Sequence, residues 1–359
     1  VTVDLRSIHR WIWDEIVAFP APETALEAAS ALVANGSIDT AASLLDRAWG
    51  HHPSHRALQD ARANVLDSLA VKEHSITFRY VPAGWFWQGS EDGDHDERPR
   101  RRVELDPFWI ADAPLTWTQI ATFADLEPAP ALRWKSEGRT DDDDDFNEQN
   151  PPLIDSITQR MVSIYSVARV PVAGLPDDVP DWQRQALETA TPEAYNVLPA
   201  VGISWQNAVK FAAVRSTSAI EYTLPTEAQW ERAARGGLPD ARYPWGDTDP
   251  SPRFADYDRF EEFKMRPTRE LVPNGYGLVA MAGTLNEWCL DWYDAREYLQ
   301  NPARNPAGPP SGKQRVARGG SWADCAATLR VSYRSAFEPS PYGTIPTIGM
   351  RLVRRIRAV

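Results

Sequence analysis

Two cysteines in 359 residues, Cys289 and Cys325, leave no basis for a disulfide framework. No stretch reaches the roughly 18 consecutive apolar residues of a membrane helix, so the sequence predicts no membrane span. The basic residues are nearly all arginine, and acids outnumber bases to give a net charge of −12. That balance argues against a nucleic-acid-binding surface. One basic run does occur, "RPRRR" at 98–102. With "EDGDHDE" just before it, it reads as a solvated strand edge or as paired with those acids. No basic stretch followed by an apolar core opens the given residues, so no signal peptide is read, and a cytoplasmic home is the default expectation. What remains is 43% apolar and 25% charged residues, the profile of a soluble globular protein.

The texture changes along the chain. Residues 1–75 read as a helical subdomain: "PETALEAASALVANGSIDTAASLLDRAWGHHPSHRALQDARANVL" places Ala and Leu at helical spacing, broken by Gly36 and Pro53. The stretch is similar to one tetratricopeptide-type hairpin, though such repeats need neighbours. His51, His52 and His55 fall in a turn with no Cys or carboxylate at ligand spacing and read as exposed turn residues. From residue 76 onward, aromatic-rich alternation predicts strand, acidic loop and strand, followed by a short helix over 116–126. Residues 127–198 read as an irregular insert, with "TDDDDDFNEQNPP" at 140–152 as self-repelling loop. Beyond it, Ser204 is a predicted N-cap, and "YTLPTEAQWERAARGG" predicts a capping box of Thr226 and Gln229 with Gly236 as helix stop. "YPWG" reads as a turn, and "NEWCLDWY", "RVARGGSW" and "IGMRLVRR" read as strands.

These blocks, in this order, resemble the formylglycine-generating-enzyme (sulfatase-modifying-factor) family. The carriers are "VPAGWFWQGS", "ISWQNAVKFAA", "YTLPTEAQWERAARGG", "YPWG", "NGYGLVAMAGTLNEWCLDWY", "RVARGGSW" and "IGMRLVRR". The resemblance implies an α+β architecture over 76–359, a C-type lectin-like fold of the formylglycine-generating-enzyme type, irregular and with few long strands. It does not settle function, because the family holds copper-dependent oxidases, iron-dependent sulfoxide synthases and non-catalytic binding proteins.

The residues distinguish these. The oxidases need two thiolates, five positions apart, to hold Cu(I). Here Cys325 stands alone, with Arg330 five residues later. Cys289 alternates with large apolar residues and reads as a buried small side chain. The sulfoxide synthases need an HxxxHxE motif, and "HHPSH" is no such triad. Calcium sites in relatives map onto Glu287, the backbone at Gly283 and Leu285, and Asp256, but the side-chain oxygen of one site is replaced by Ala280 and its loop Asn by Thr284. The expectation is therefore no calcium or a weak calcium site, and no other cofactor.

The chain is most like the variable proteins of diversity-generating retroelements. There, mutated adenines turn Asn codons into ones that never specify Trp, Met, Lys, Glu or Gln. Residues 323–328 and 335–337, and 341–347, all avoid that forbidden set, while "LRVSYR" and "IGMR" between them match scaffold. Ordinary loops would pass the codon test too. The missing copper pair and the C-terminal placement favour a binding protein, monomeric, whose variable loops take a protein or cell-surface ligand. Its expected contact residues are Ala323, Asp324, Cys325, Ala327, Ser335, Ala336, Phe337, Pro341, Tyr342 and Thr344, with Phe337 and Tyr342 as anchors. Trp322, Arg318, Arg330, Arg334 and Arg351 are the expected support. The competing expectation is an oxidoreductase of the same family, acting on a protein cysteine or a small thiol.

Overall fold

The computed structural model describes residues 4–14, 18–124, 198–259, 265–300, 304–339 and 347–357. The acidic run at 140–152, and Pro341, Tyr342 and Thr344, lie outside the described residues.

Four helices open the chain: α1 (Leu5–Trp13), α2 (Pro22–Ala34), α3 (Ile38–His51) and α4 (Arg56–Ser68). Pro22 suits the first turn of α2, where its missing N–H costs nothing. Ala25, Ala28, Ala29 and Leu32 of α2 share one buried cluster with Ala41, Leu44, Leu45 and Ala48 of α3, the i, i+3, i+4 spacing of an inward helix face. His55 is the N-cap of α4: its Nδ1 accepts from the Leu58 amide at 3.3 Å. His51 stacks on Phe19, ring centroids 4.6 Å apart.

The helices dock through a buried carboxylate. Asp46 of α3 accepts from Arg62 of α4 (2.9 and 2.7 Å), from Arg232 (3.3 Å) and from the Tyr276 hydroxyl (2.8 Å). Arg62 also donates to the carbonyls of Gly275 and Gly236. A charge this deep is tolerable only because several donors meet it. Burial and the neighbouring Asp46 charge both disfavour the phenolate of Tyr276, so its pKa is raised.

Strands β1 (Val71–Glu73), β2 (Ile76–Val81), β5 (Phe108–Ala111), β6 (Ile220–Thr223) and β11 (Val353–Ile356) form a five-stranded sheet in the order β1-β2-β5-β11-β6. A two-stranded ribbon pairs β3 (Gly84–Gln88) with β4 (Arg101–Leu105). Strands β7 (Asn286–Trp292), β8 (Arg315–Arg318), β9 (Ser335–Phe337) and β10 (Ile348–Gly349) form a sheet ordered β10-β7-β8-β9. Helices α5 (Trp117–Ala124), α6 (Trp205–Ala213) and α7 (Glu227–Arg235) complete the body. Ser204 caps α6, and α7 carries the predicted capping box, with left-handed Gly236 (φ 60°) as its stop. Two buried clusters, one around Trp230, Phe86 and Phe108 and one around Trp288, Phe78 and Leu352, hold the sheets together.

Two expectations need correction. "IGMRLVRR" is not one closing strand but two short ones in different sheets, because Arg351 between them is turned inward to Glu287. Of the two readings of the basic run at 98–102, the solvated edge fits its exposed first three residues, whereas its contact with "EDGDHDE" is through hydrogen bonds, the Arg100 amide to Glu91 and Arg98 to the Asp94 carbonyl, with no ion pair among the described residues. Arg100 pairs with Asp240, Arg101 with Glu297 and Arg102 with Glu104.

Candidate functional site

Short strands leave many backbone carbonyls without a ladder partner, and buried ones need another donor. Arginines supply it. Arg318 at the end of β8 is wholly buried and donates to the carbonyls of Val331, Ser332 and Tyr333 and to the carboxylate of Glu231. Burial opposes its charge, but Tyr298, Glu231 and Glu227 more than offset that, so its pKa is raised. Arg334 makes a two-pronged pair with Glu227, at 2.7 and 2.9 Å, and donates to the carbonyls of Asp96 and Asp294. The planar guanidinium fork suits this double task. Glu227 and Glu231 are presented by α7, all nine of whose residues are buried.

The Glu287 carboxylate is likewise fully engaged. It accepts from Arg351 at 2.8–3.1 Å and from the Trp230 indole N–H at 2.7 Å. Asp256 accepts from Arg259 at 3.0 Å and from the Arg266 amide at 2.8 Å. Gly283 has φ 70° and lies so close to Asp256 that a Cβ would sit 2.4 Å from its carbonyl oxygen. Gly283 and Asp256 thus adjoin, but the side-chain oxygens of Asp256 and Glu287 face cations and N–H groups. Among the described residues, no group of three or more His, Cys, Asp or Glu could hold a metal ion.

The frame carries the expected contact residues at its edge. Trp322 is wholly buried, and its amide donates to the Thr284 carbonyl. The chain then runs beside residues 256–259: the Arg259 amide donates to the Trp322 carbonyl and the Asp258 amide to the Asp324 carbonyl, both at 2.8 Å. Cys325 and Ala327 are exposed, and Ala323 is half-buried. Asp324 behaves differently from its neighbours. One oxygen accepts from the Ser321 amide and hydroxyl, each at 2.8 Å, and from the Asn286 amide side chain at 3.1 Å. A short 3₁₀ turn over Ala326–Leu329 then leads to Arg330, whose guanidinium pairs with Glu97 at 2.7 Å.

Ser335, Ala336 and Phe337 form β9, an edge strand among those described, and all three are half-buried. Phe337 sits edge-on against Trp288, centroids 6.1 Å apart. Strand β7 is therefore the hub of the site. Its Asn286 side chain holds Asp324, its Asn286 amide donates to the Thr347 carbonyl at 2.9 Å, and its Trp288 backs Phe337. Asn286 was not singled out in the sequence, where it looked like one more scaffold residue of "NEWCLDWY". Nor was Arg315, which lies between the indoles of Trp205 (3.7 Å) and Trp292 (3.4 Å). Burial lowers its pKa to about 10. The cysteines do not meet: Cys289 is fully buried in β7, its thiol pKa pushed up by burial and nearby carboxylates, while Cys325 faces solvent.

Residues 69–356 match the sulfatase-modifying factor enzyme 1-like domain. The chain is 32% identical to the formylglycine-generating enzyme of Thermomonospora curvata, over 67% of this chain and 81% of that one. It is 29% identical to the serine/threonine-protein kinase pkn1 of Chlamydia pneumoniae, over 90% of this chain and 48% of the kinase. Among solved structures, Treponema denticola variable protein 1 superposes with a TM-score of 0.54 at 20% identity, covering 79% of this chain and 97% of that one. PvdO from Pseudomonas aeruginosa superposes with a TM-score of 0.52, also at 20% identity, over 79% of this chain and 97% of its own. The chain belongs to the sulfatase-modifying factor enzyme 1-like domain family, with the C-type lectin-like fold of the formylglycine-generating-enzyme type.

Proposed function

We propose that this protein is a non-catalytic binding protein, a retroelement-diversified variable protein whose loops at 323–328 and 335–347 take a protein or cell-surface ligand. The observation that carries this reading is Arg330. It stands where a copper site would need its second thiolate, and its guanidinium is committed to Glu97 and Asp94. A single thiolate makes a poor Cu(I) site. The likeness to a variable protein and the presentation of 323–337 on a rigid frame support the same reading. Cys325 favours the competing one, an oxidoreductase acting on a protein cysteine or a small thiol, because its thiol is exposed in the matching loop.

The experiment is direct. Reduced, Cu(I)-loaded protein is incubated with a peptide bearing a sulfatase-type cysteine, beside a Cys325→Ser control. The expected result is no aldehyde above the control, and thiol loss with aldehyde formation would establish the oxidase instead. Calcium has little part in this reading, since Glu287 and Asp256 are already engaged. Chelator is expected to leave the melting temperature nearly unchanged, and a large drop would reveal a bound ion.

A further inference from the structure

A cleft lies between the helical subdomain and the body of the fold, and its far end reaches the Arg330–Ser332 segment between the loops considered above. Its first hollow, about 300 Å³, is lined by Arg47 of α3, Trp85 and Trp87 of β3, Arg232 of α7 and the turn after that helix. Trp87, Arg235 and Asp240 also line a second hollow of about 560 Å³, which reaches Ser90 and Ser332. Both volumes lie within the roughly 300–1,000 Å³ of small-molecule sites.

Three features define what fits there. The walls are held in place, because Asp46 ties α3 to Arg62, Arg232 and Tyr276 across the junction. Four ion pairs line it, Arg100 with Asp240 (2.9 Å), Arg235 with Glu231 (2.7 Å), Arg232 with Asp46 (3.3 Å) and Arg330 with Glu97 (2.7 Å), and the other charged residues of the lining, Arg47, Arg242, Glu91, Asp92 and Asp247, are of both signs. An ionic ligand of either sign would meet charges of its own sign there, and a purely apolar one would strip water from paired ions. Finally, the aromatic wall is built from Trp85 and Trp87, edge to face at 5.9 Å: Trp85 is buried with Arg47 over its ring at 4.0 Å, and Trp87, half-buried between the two hollows with Arg100 at 4.9 Å, is the indole open to a ligand. The buried Trp85 indole N–H has no hydrogen-bond acceptor among the described residues.

We propose that this cleft binds a neutral saccharide. A sugar ring has an apolar C–H face that lies against indole and a rim of hydroxyls that both donate and accept. Guanidinium and carboxylate groups already in pairs keep outer N–H groups and lone pairs for those hydroxyls, so the ligand binds without breaking a pair. The second hollow would take the next residues of a short oligomer. Among the described residues, none of the expected contacts at 323–328 and 335–347 lines this site, although its second hollow reaches Arg330 and Ser332 between them, and it stands whether or not those loops vary.

The test uses the full chain, titrated with maltotriose, cellotriose and tri-N-acetylchitotriose by calorimetry and tryptophan fluorescence, with benzoate and inorganic phosphate as anionic probes. At least one trisaccharide is expected to bind saturably and more tightly than either anion. Trp87→Ala, at a half-buried site, is expected to weaken that binding about tenfold or more, roughly 1.4 kcal/mol. Arg100→Ala, at the outer rim, is a second variant expected to weaken it without risk to the core. Phe337→Ala, at a residue that lines neither hollow, is expected to leave it unchanged. Failure of all three trisaccharides to bind, preference for an anion, or full binding by both cleft variants would overturn the proposal.

Discussion

Arg318 and Cys325 stand seven positions apart and live under opposite rules. Arg318 is buried among carboxylates and carbonyls, and every neighbour depends on it. Cys325 is exposed, and its loop is held by backbone hydrogen bonds, by Asp324, and at its two ends by the Ser321 hydroxyl and the Arg330 guanidinium, with the Cys325 side chain itself taking no part. The frame spends charged hydrogen bonds on irregular backbone so that the loop need not. A fold built this way can tolerate change at its rim while remaining intolerant one strand away. The contrast makes predictions whose sizes should differ by several kcal/mol.

The largest effect is expected inside the frame. Glu287→Ala would leave Arg351 buried without its carboxylate, and breaking a buried pair from one side costs about 3–5 kcal/mol. Arg351 also donates to the carbonyls of Ala111 and Val279, so the damage should spread to β5. Urea denaturation measures it. A loss below about 1 kcal/mol would mean that the frame is not what keeps the loops in place.

A second effect separates frame from rim by pH. Asp291 of β7 is buried and accepts from the Glu227 amide at 2.7 Å. Burial and the nearby Glu227 charge raise its pKa from 3.8 to about 7. The folded chain therefore keeps this proton where the unfolded chain has lost it. That stabilisation is full below about pH 4 and is lost as pH rises toward 7. Asp291→Asn keeps an acceptor for the amide and removes the titration, so its stability should gain on the parent as pH rises, most of all above pH 7. Glu227 runs the other way. Burial raises its pKa, but Arg334 and Arg318 outweigh that, so the pKa is lowered and the stabilisation it gives is lost as pH falls below its unfolded value of 4.5. Thermal melts of both proteins from pH 4 to 8 check the pair, and parallel curves would refute the assignment to Asp291.

Much of this frame was legible in the sequence. The capping box at Thr226, the glycine stop, the buried Cys289 and the strand at "NEWCLDWY" follow from local chemistry and spacing. The partners of the arginines did not, because each pair joins residues far apart in the chain: Arg351 finds Glu287, and Arg334 finds Glu227. The split of "IGMRLVRR" was hidden for the same reason. Its sequence alternates well enough for one strand, and only Glu287 shows why it bends. At the site, the exposure of Cys325 and Ala327 suits a readout surface, whereas Asp324 passes the codon test yet holds three hydrogen bonds. A residue that is free in composition need not be free in structure.

Asp324 therefore marks an intermediate effect. Asp324→Ala removes the acceptor for the Ser321 amide and hydroxyl and for Asn286. Hydrogen bonds to a charged group contribute about 1.5–3 kcal/mol. Since Asp324 is only half-buried and water can replace part of the loss, a cost of about 1–2 kcal/mol is expected by urea denaturation. Asp324→Asn should recover some of it. If Asp324→Ala costs nothing, the loop is held entirely by the 256–259 backbone.

The smallest effect is the most telling for function. Cys325→Ser and Ala327→Asp, made together, change two exposed side chains with no hydrogen-bonded neighbour among those described, so stability should stay within about 0.5 kcal/mol. Five residues before Cys325, the same freedom ends. Gly320 has φ 69°, and a Cβ there would lie 2.5 Å from the Thr328 hydroxyl. Gly320→Ala is strained by backbone and by contact at once, and should cost more than the double loop variant. A rim that can be rewritten without loss, bounded by a glycine that cannot, is what a variable binding surface requires. If the double variant destabilises as much as Gly320→Ala, the loop is part of the frame, and the binding face must be sought elsewhere on the molecule.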